Sequence, residues 1–259
     1  MSPRMSGGLR CVALAGAVAG AWGLGGCATA PGPTAASAAP AAPVKLSPTD
    51  PWERFNRAIF GFNESVDAAV LAPLARAYKA VVPRVVSQGF ENVLGNVGDA
   101  WSAVNHALQG KPQATFEMIM RVAVNSTFGL GGLLDIAGEA GIERQTEDFG
   151  QTLGRWGVPT GPYLVLPLIG ASNVRDGSAW PLDRAASFTS LVSNSNHRYA
   201  ITAMELIDKR AGLLTASSVL NQVALDRYTF VRDSYLARRR AAVYDGNPPP
   251  EPDDEPAPK

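Results

Sequence analysis

The sequence predicts an all-helical protein with a single folded domain. Apolar residues recur at steps of three and four in several segments, and prolines or glycines stand at the ends of most of these segments. No segment shows the apolar–polar alternation that is typical of a half-buried strand. The part of the chain between two Pro-rich ends, about 195 residues, is long enough for one sizeable core and short for two.

The N-terminus has the composition of an export signal. Arg4 and Arg10 precede an apolar stretch, residues 11–24, that is shorter than a membrane span and typical in length of a secretory signal. The stretch ends in Leu-Gly-Gly-Cys27, which resembles the lipobox of bacterial lipoproteins. We therefore expect residues 1–26 to be a signal peptide whose cleavage leaves Cys27 as an acylated N-terminus. A plain signal peptide is the alternative.

Two terminal segments have the composition of disordered chain. Residues 27–49 are mostly Ala, Pro and small polar residues, which cannot bury enough apolar surface to offset chain entropy. They are expected to tether the folded domain, residues 50–244, to the membrane. Residues 245–259 form a Pro-rich, mildly acidic tail.

The composition argues against several chemistries. Cys11 leaves with the signal and Cys27 is used for acylation, so no thiol remains for a disulfide or a zinc site. His106 and His197 are the two histidines, and neither has a second His or Cys within a helical turn. The 23 basic residues balance 23 acidic ones, which does not suggest nucleic-acid binding. We expect no metal and no cofactor.

The first helix is predicted at Pro51–Leu71, with Asp50 as its cap and a proline in its first turn. Gly61 and Asn63 weaken its middle and leave room for a kink near Phe62. From the pattern alone, a plain core-facing helix is favoured. The apolar face comprises Phe55, Ile59, Phe62, Val66 and Val70.

The remaining helices are predicted to be short, because Pro73 and Pro83 interrupt the chain and Gly95 and Gly98 bracket a turn. A further turn is expected at Asn173–Gly177. The predicted helices are Leu74–Val82, Arg84–Val93, Asp99–Leu108, Pro112–Asn125, Ser178–Leu191, Asn196–Leu213 and Ser217–Val243.

The stretch Asp148–Gly170 fits none of the regular patterns. Its apolar part, Tyr163–Leu166, is enclosed by Pro162 and Pro167 and is too short for an independent helix or a membrane span. We expect an apolar hairpin or loop that either packs under the rest of the protein or lies against lipid.

The search for catalytic motifs finds little. Ser172 lacks the second glycine of a nucleophile elbow, and the glycine-rich turn Phe128–Asp135 lacks the lysine of a phosphate loop. Close backbone packing is the better interpretation of Gly129, Gly131 and Gly132. The residues predict a binding or interaction protein of the cell envelope, and not an enzyme.

Four long motifs, spread over most of the folded domain, resemble the MlaA (VacJ) family of outer-membrane lipoproteins. They are Asp50–Asn63 (DPWERFNRAIFGFN), Asn105–Gly110 (NHALQG), Asn125–Asp135 (NSTFGLGGLLD) and the Asp148–Gly170 stretch, continued through Arg175-Asp176. The lipobox agrees with this resemblance independently.

The resemblance implies a helical, ring-like protein, embedded in the periplasmic side of the outer membrane of a Gram-negative bacterium, around an amphipathic passage. Such proteins withdraw mislocalised phospholipids from the outer leaflet and pass them to a soluble periplasmic lipid carrier, which maintains lipid asymmetry. They associate with porin trimers. The alternatives from other classes are an envelope phospholipase, using a serine with His106 or His197, and a purely structural, porin-tethering lipoprotein.

Site residues follow as expectations from the resemblance. The hairpin is expected to form a movable wall of the passage, with Gly157 and Gly161 as hinges, and Phe62 and Asn63 are expected to support the ring near its opening. The predicted passage and hinge residues are Gly154, Gly157, Gly161, Tyr163, Leu164, Val165, Leu166, Pro167, Leu168 and Ile169.

Overall fold

The computed structural model describes residues 49–249, without the side chains of Asn221 and Val223. The predicted signal peptide, Cys27 and all of the predicted tether except Thr49 lie outside the described residues, as do residues 250–259 of the predicted tail. What is described belongs to one compact unit.

The described residues form nine α-helices and one two-stranded antiparallel sheet. The prediction of a mainly helical domain is therefore confirmed. The helices are α1 Glu53–Val66, α2 Ala72–Val81, α3 Arg84–Leu108, α4 Pro112–Thr127, α5 Ile136–Glu139, α6 Phe149–Arg155, α7 Val174–Ala185, α8 Ser195–Val223 and α9 Arg227–Val243; the strands are β1 Tyr163–Leu166 and β2 Gly170–Asn173.

Helices α1 and α2 form one continuous rod, Glu53–Val81, through five π-helical residues, Asp67–Leu71. The predicted interruption at Pro73 is wrong, because the wider π turn directly before the proline accommodates its ring and its missing N–H. Pro83 does end the rod, since Val82 before it is extended (φ −86°, ψ 119°). The 29-residue rod is long and apolar enough to cross a bilayer by length and composition.

Helix α3 is also longer than predicted, and Gly95 and Gly98 lie within it instead of at a turn. A Cβ atom on Gly95 would lie 2.6 Å from the Arg144 guanidinium, and one on Gly89 would lie 2.8 Å from the Leu133 side chain. Two of the helix's glycines thus permit close tertiary packing. Their intrinsic cost of about 1 kcal/mol each within a helix is offset by contacts that the sequence pattern does not display.

The C-terminal boundaries also differ from the predicted ones. Helix α7 begins at Val174, where a turn was expected, because the Asn173 side chain caps it by accepting a hydrogen bond from the Asp176 N–H. The predicted last helix, Ser217–Val243, is divided: α8 continues to Val223, and Asp226 caps α9.

The expectation that the domain lacks strands is wrong. Strand β1 pairs with β2 from Tyr163 opposite Asn173 to Leu166 opposite Gly170. The side chains of β1 do alternate between buried and half-buried positions. The sequence hides this alternation, because all four side chains are apolar or aromatic.

The interior is unusually polar. Within residues 49–249, 17 polar or charged residues are buried, compared with 11 apolar ones. The apolar core cluster is small and centres on Tyr163, Val165 and Tyr228. Soluble domains show the opposite preference, since Asp, Asn and Arg are mostly exposed in them.

The outward face is correspondingly apolar, and α1 shows this most clearly. Its one buried residue is Asn56, whereas Phe55 and Phe62 are about half exposed. The prediction that the apolar stripe of α1 faces the core is therefore wrong for Phe55 and Phe62, whereas Ile59 does pack against the core cluster. Helix α4 repeats the arrangement: Arg121 and Asn125 are buried, while Phe116 is 63% exposed. Apolar surface of this extent indicates contact with lipid or with another protein.

Candidate functional site

The predicted passage residues lie around the hairpin of β1 and β2 and around a cavity of about 570 Å³ at its stem. The cavity lies between the α6–β1 connection and the last three turns of α9. Gly154, Gly157 and Gly161 all line it. The opposite wall combines the apolar Leu236 and Val243 with the charged Arg175. A cavity that offers both apolar surface and charge can accommodate an amphipathic molecule.

Gly157 ends α6 in a Schellman motif. Its N–H donates to the Gly154 carbonyl (3.0 Å), and the Val158 N–H donates to the Leu153 carbonyl (2.9 Å). This motif requires a left-handed residue, and Gly157 has φ +90°. A Cβ atom there would meet nothing within 4 Å, so the backbone angle and not the space selects glycine.

The other two glycines differ in what they permit. Gly161 has φ +69°, and a Cβ atom on it would lie 3.2 Å from that of Val174. Gly154 lies within α6, where a Cβ atom would lie 2.5 Å from an Arg175 guanidinium nitrogen and 2.9 Å from Val243. Gly154 is therefore a contact position, and Gly157 and Gly161 are the two with left-handed backbones.

The side chains of the predicted wall divide by depth. Tyr163 and Val165 are fully buried in the core cluster and so point into the protein. Leu164 and Leu166 are half-buried on the other face of β1. Leu168 and Ile169 at the tip are 57% and 51% exposed, and Pro167 beside them is also exposed.

Two asparagines of α1 hold the outer edge of β1. Asn56 donates to the Tyr163 carbonyl (3.0 Å) and accepts from the Val165 N–H (2.9 Å). Asn63 donates to the Leu166 carbonyl (3.0 Å) and accepts from the Leu168 N–H (2.8 Å). Asn56 thus pairs with β1 as a neighbouring strand would, and Asn63 holds the last residue of β1 and the turn that follows it. We call Asn56 and Asn63 the amide ladder.

The spacing of the amide ladder follows from helix and strand geometry. The seven residues from Asn56 to Asn63 rise about 10.5 Å along α1. Their backbone partners are shifted by three residues along the chain, which is about 10 Å, so that the second set consists of the last residue of β1 and Leu168 of the turn. Because the two distances agree, one amide reaches β1 itself and the other reaches the start of the hairpin turn. The expected supporting role of Asn63 thus has a structural basis, while Phe62 beside it is half exposed.

The hairpin tip has a strained backbone. Leu168 has φ +62°, a left-handed conformation that costs a non-glycine residue on the order of 1–2 kcal/mol. Its N–H is held by Asn63. The tip is therefore an apolar, exposed segment whose conformation depends on α1.

A buried charge cluster anchors the other side of the site. Arg239 of α9 donates both terminal nitrogens to the Asp148 carboxylate (2.6 and 2.9 Å) and its Nε to Asp176 (2.7 Å). Asp176 also accepts from the Tyr235 hydroxyl (2.8 Å) and the Arg175 Nε (2.9 Å). We call these five residues the arginine cluster; it joins α6, α7 and α9 behind the cavity.

The contacts within the arginine cluster shift the pKa values of Asp176 and Arg239. Burial works to raise the pKa of Asp176, but the hydrogen bond from Arg239 and the surrounding arginine charges outweigh it and hold this pKa below its ordinary value. Arg239 has a raised pKa, since its two carboxylate partners outweigh the effect of its own burial. Both groups remain charged at neutral pH.

Asp50 makes a second junction at the opposite end of β1. It accepts hydrogen bonds from Asn56 (2.8 Å) and the Tyr228 hydroxyl (2.5 Å). Burial, together with the neighbouring Asp50 carboxylate, raises the pKa of Tyr228. The predicted capping role of Asp50 is wrong: Trp52 is the N-cap of α1, without a side-chain cap.

The sequence pointed to Asn63 but missed Asn56, Asp50 and the arginine cluster as parts of the site. A usable signal was present: two Asn residues seven positions apart lie beside the apolar stripe of α1, where a polar side chain needs a partner. The partners of Arg239 gave no such signal, because they are distant in sequence.

The histidines show no catalytic arrangement within residues 49–249. His106 is buried, and its Nε2 lies 3.2 Å from the Gln145 carbonyl oxygen; His197 is exposed. In this range no hydrogen bond joins either imidazole to a serine hydroxyl. The same range holds no group of three or more His, Cys, Asp or Glu side chains that could hold a metal ion.

Comparison with known proteins gives consistent results. Residues 48–242 match the family model described as MlaA lipoprotein. An uncharacterized protein of Rickettsia bellii is 35% identical over 196 residues, 75% of this chain and 76% of the relative. The intermembrane phospholipid transport system lipoprotein MlaA of Escherichia coli K12 is 35% identical over 73% of this chain and 76% of its own length. The Haemophilus influenzae protein of the same name is 33% identical, with 76% and 80% covered.

One solved structure is similar as well. It is described as "Structural basis for maintenance of bacterial outer membrane lipid asymmetry". It is 33% identical and superposes with a TM-score of 0.64, covering 76% of this chain and 99% of the solved one.

Proposed function

The chain belongs to the MlaA lipoprotein family, and from this membership we propose that it transports phospholipid between membranes. It withdraws mislocalised phospholipid from the outer leaflet of the outer membrane through an amphipathic passage and so maintains lipid asymmetry. The E. coli and Haemophilus relatives carry a name for this transport, and the solved relative is described by this asymmetry.

The observation that carries the proposal is the inverted polarity of the domain. A ring of helices with buried Asn, Asp and Arg and exposed Phe, Leu and Val suits a lipid environment, since outward apolar side chains then lose contact with water. The hairpin tip, with Leu168 and Ile169 exposed, belongs to this outward surface. The cavity at its stem offers charge beside apolar wall, as a phospholipid requires.

Membrane anchoring and partners complete the proposal. Cys27 carries the acyl anchor at the outer membrane. Several acyl chains on one residue hold the protein firmly, because each buried methylene contributes about 0.8 kcal/mol to membrane binding. The domain faces the periplasm, hands lipid to a soluble periplasmic carrier and associates with a porin trimer. Accumulation of a larger precursor under an inhibitor of lipoprotein signal cleavage tests the anchor; its absence would contradict it.

Photocrosslinking tests the transport function directly. A photoreactive amino acid at Leu168 or Ile169 is expected to label phospholipid in intact cells, whereas one at the exposed Glu139 is expected to label little. Diacyl lipid recovered intact supports a conduit. Release of lyso-lipid and fatty acid by the purified protein would instead support a phospholipase, and labelling of porin without lipid a tethering role.

The hinge role of Gly157 and Gly161 is a further part of the proposal. Gly157→Ala is expected to weaken lipid asymmetry, measured as increased detergent sensitivity, because a side chain at φ +90° costs on the order of 1 kcal/mol and restricts the stem. Gly141 is the matched control, with φ +83° and open space around its Cβ position, but away from the hairpin. Equal defects in Gly157→Ala and Gly141→Ala at equal protein level would argue against the hinge.

A further inference from the structure

A second cavity, of about 490 Å³, lies where α2, α3 and α8 meet. It is separate from the hairpin cavity and shares no lining residue with it. Its lining is of mixed character: carboxylates on one side, cations at the rim, and the apolar Val82 and Ala211 between them.

The acidic side consists of Asp208 and Glu91. Asp208 is 5% exposed, and within residues 49–249 it forms no salt bridge. Its neighbours are instead another carboxyl group, Glu91, and the Tyr78 hydroxyl. Glu91 is itself exposed, and partial desolvation together with the adjacent Asp208 raises its pKa, against the opposing charges of Arg144 and Arg84. A buried carboxylate without a cation at contact distance is an energetically costly arrangement.

The basic side consists of Lys79 and Arg84. Both side chains are exposed and line the same cavity. Neither forms a salt bridge with any residue in the part of the chain that the structure describes. The cavity therefore holds separated negative and positive groups that are not neutralised by each other at contact distance.

The position of the cavity relative to the apolar surface adds an independent argument. Lys79 and Arg84 flank the end of the 29-residue apolar rod. Beside them Val81, Val85 and Val86 are 80%, 80% and 60% exposed. An apolar helix ending in Tyr and Lys is typical of the boundary between hydrocarbon and head groups. With the rod placed in a bilayer, the cavity would open at the depth where lipid head groups lie.

We propose that this cavity binds the head group of a zwitterionic phospholipid that carries an ammonium group. Asp208 and Glu91 receive the ammonium, Lys79 and Arg84 receive the phosphate, and the three valines contact the acyl chains. The inference rests on the proposed phospholipid transport and adds a head-group preference and a location to it. An anionic lipid offers the phosphate but has no cation for Asp208.

The test uses the full-length protein purified in mild detergent. It is incubated with mixed micelles of equimolar phosphatidylethanolamine and phosphatidylglycerol, and bound lipid is quantified by native mass spectrometry. The wild type is expected to favour the ethanolamine lipid. Asp208→Asn is expected to lower the ethanolamine-to-glycerol ratio by about fivefold to tenfold, as for the loss of one charge-assisted hydrogen bond.

Two further variants separate the head-group site from general effects. Lys79→Gln is expected to lower the bound amounts of both lipids equally and to leave their ratio unchanged, because both lipids carry the phosphate. Glu139→Gln, which removes an exposed carboxylate elsewhere, is expected to leave amounts and ratio unchanged. If Asp208→Asn fails to fold by circular dichroism, Glu91→Gln serves with the same expected direction.

The outcomes also distinguish this inference from the function on which it rests. If the wild type binds both lipids and the Asp208 and Glu91 variants keep its ratio, the head-group site is wrong while phospholipid binding stands. If the wild type binds neither lipid, the proposed function itself is contradicted.

Discussion

Replacement of Arg239 by methionine is expected to lower the free energy of unfolding by about 3–5 kcal/mol, because it leaves the carboxylates of Asp148 and Asp176 without their shared cation in a largely buried setting. Chemical denaturation followed by circular dichroism measures the change. Arg238→Met is the matched control, since Arg238 is exposed on the same turn of α9, and its effect is expected to stay within about 0.5 kcal/mol. Equal effects of the two variants would show that the arginine cluster does not stabilise the fold.

The same cluster predicts a direction for the dependence of stability on pH. The folded-state pKa of Asp176 is lowered, so its contribution is fully present above the ordinary aspartate value of about 4 and is lost as the pH falls through the folded-state pKa. Wild-type stability is therefore expected to fall in acid, and Arg239→Met to show a flatter profile below about pH 4. Parallel profiles would contradict this assignment.

Replacement of Asn56 by alanine is expected to cost about 3 kcal/mol, the second large effect. The change removes three hydrogen bonds of a fully buried side chain, and the N–H of Val165 and the carbonyl of Tyr163 lose their partners. Hydrogen exchange at the Val165 amide reports the loss locally. The control is Asn92→Ala. Within residues 49–249 its side chain makes one hydrogen bond, to the Leu133 carbonyl (3.0 Å), which lies in an exposed setting and is expected to contribute no more than about 1 kcal/mol.

Asn63→Ala separates docking of the tip from global stability. It is expected to accelerate exchange of the Leu168 amide, with a smaller effect on unfolding, because Asn63 lies nearer the surface than Asn56. If the two variants changed exchange at the Val165 and Leu168 amides equally, the hairpin would be detaching as one unit from α1.

The sequence predicted what depends on local pattern. Apolar periodicity located most helices, and Pro83 ended one where expected because its effect acts on the preceding residue. A hairpin or loop was expected within Asp148–Gly170; β1 and the tip do lie there, but β2 extends to Asn173. Gly157 and Gly161 have positive φ, while their predicted role as hinges stays a prediction.

What the sequence could not predict depends on distant partners. An apolar stripe on α1 is compatible both with a helix that faces a protein core and with one that faces a bilayer. Periodicity alone therefore could not show that Phe55 is exposed and Asn56 is buried. Gly95 suggested a turn, but its glycine is explained by close contact with Arg144, which lies 49 positions further along the chain. The strands were hidden because all four side chains of β1 are apolar or aromatic, so the sequence shows no alternation although their burial alternates.

The amide ladder also sets which sequence changes the segment can tolerate. A substitution between Asn56 and Asn63 leaves both amides in register, whereas one inserted or deleted residue would turn the second amide by about 100° and move it about 1.5 Å along the axis. The hairpin tip would then lose its only described side-chain attachment to α1 beyond Asn56. The number of residues between Asn56 and Asn63 is therefore more constrained than their identity. Relatives in which this number differs are expected to hold the hairpin tip differently.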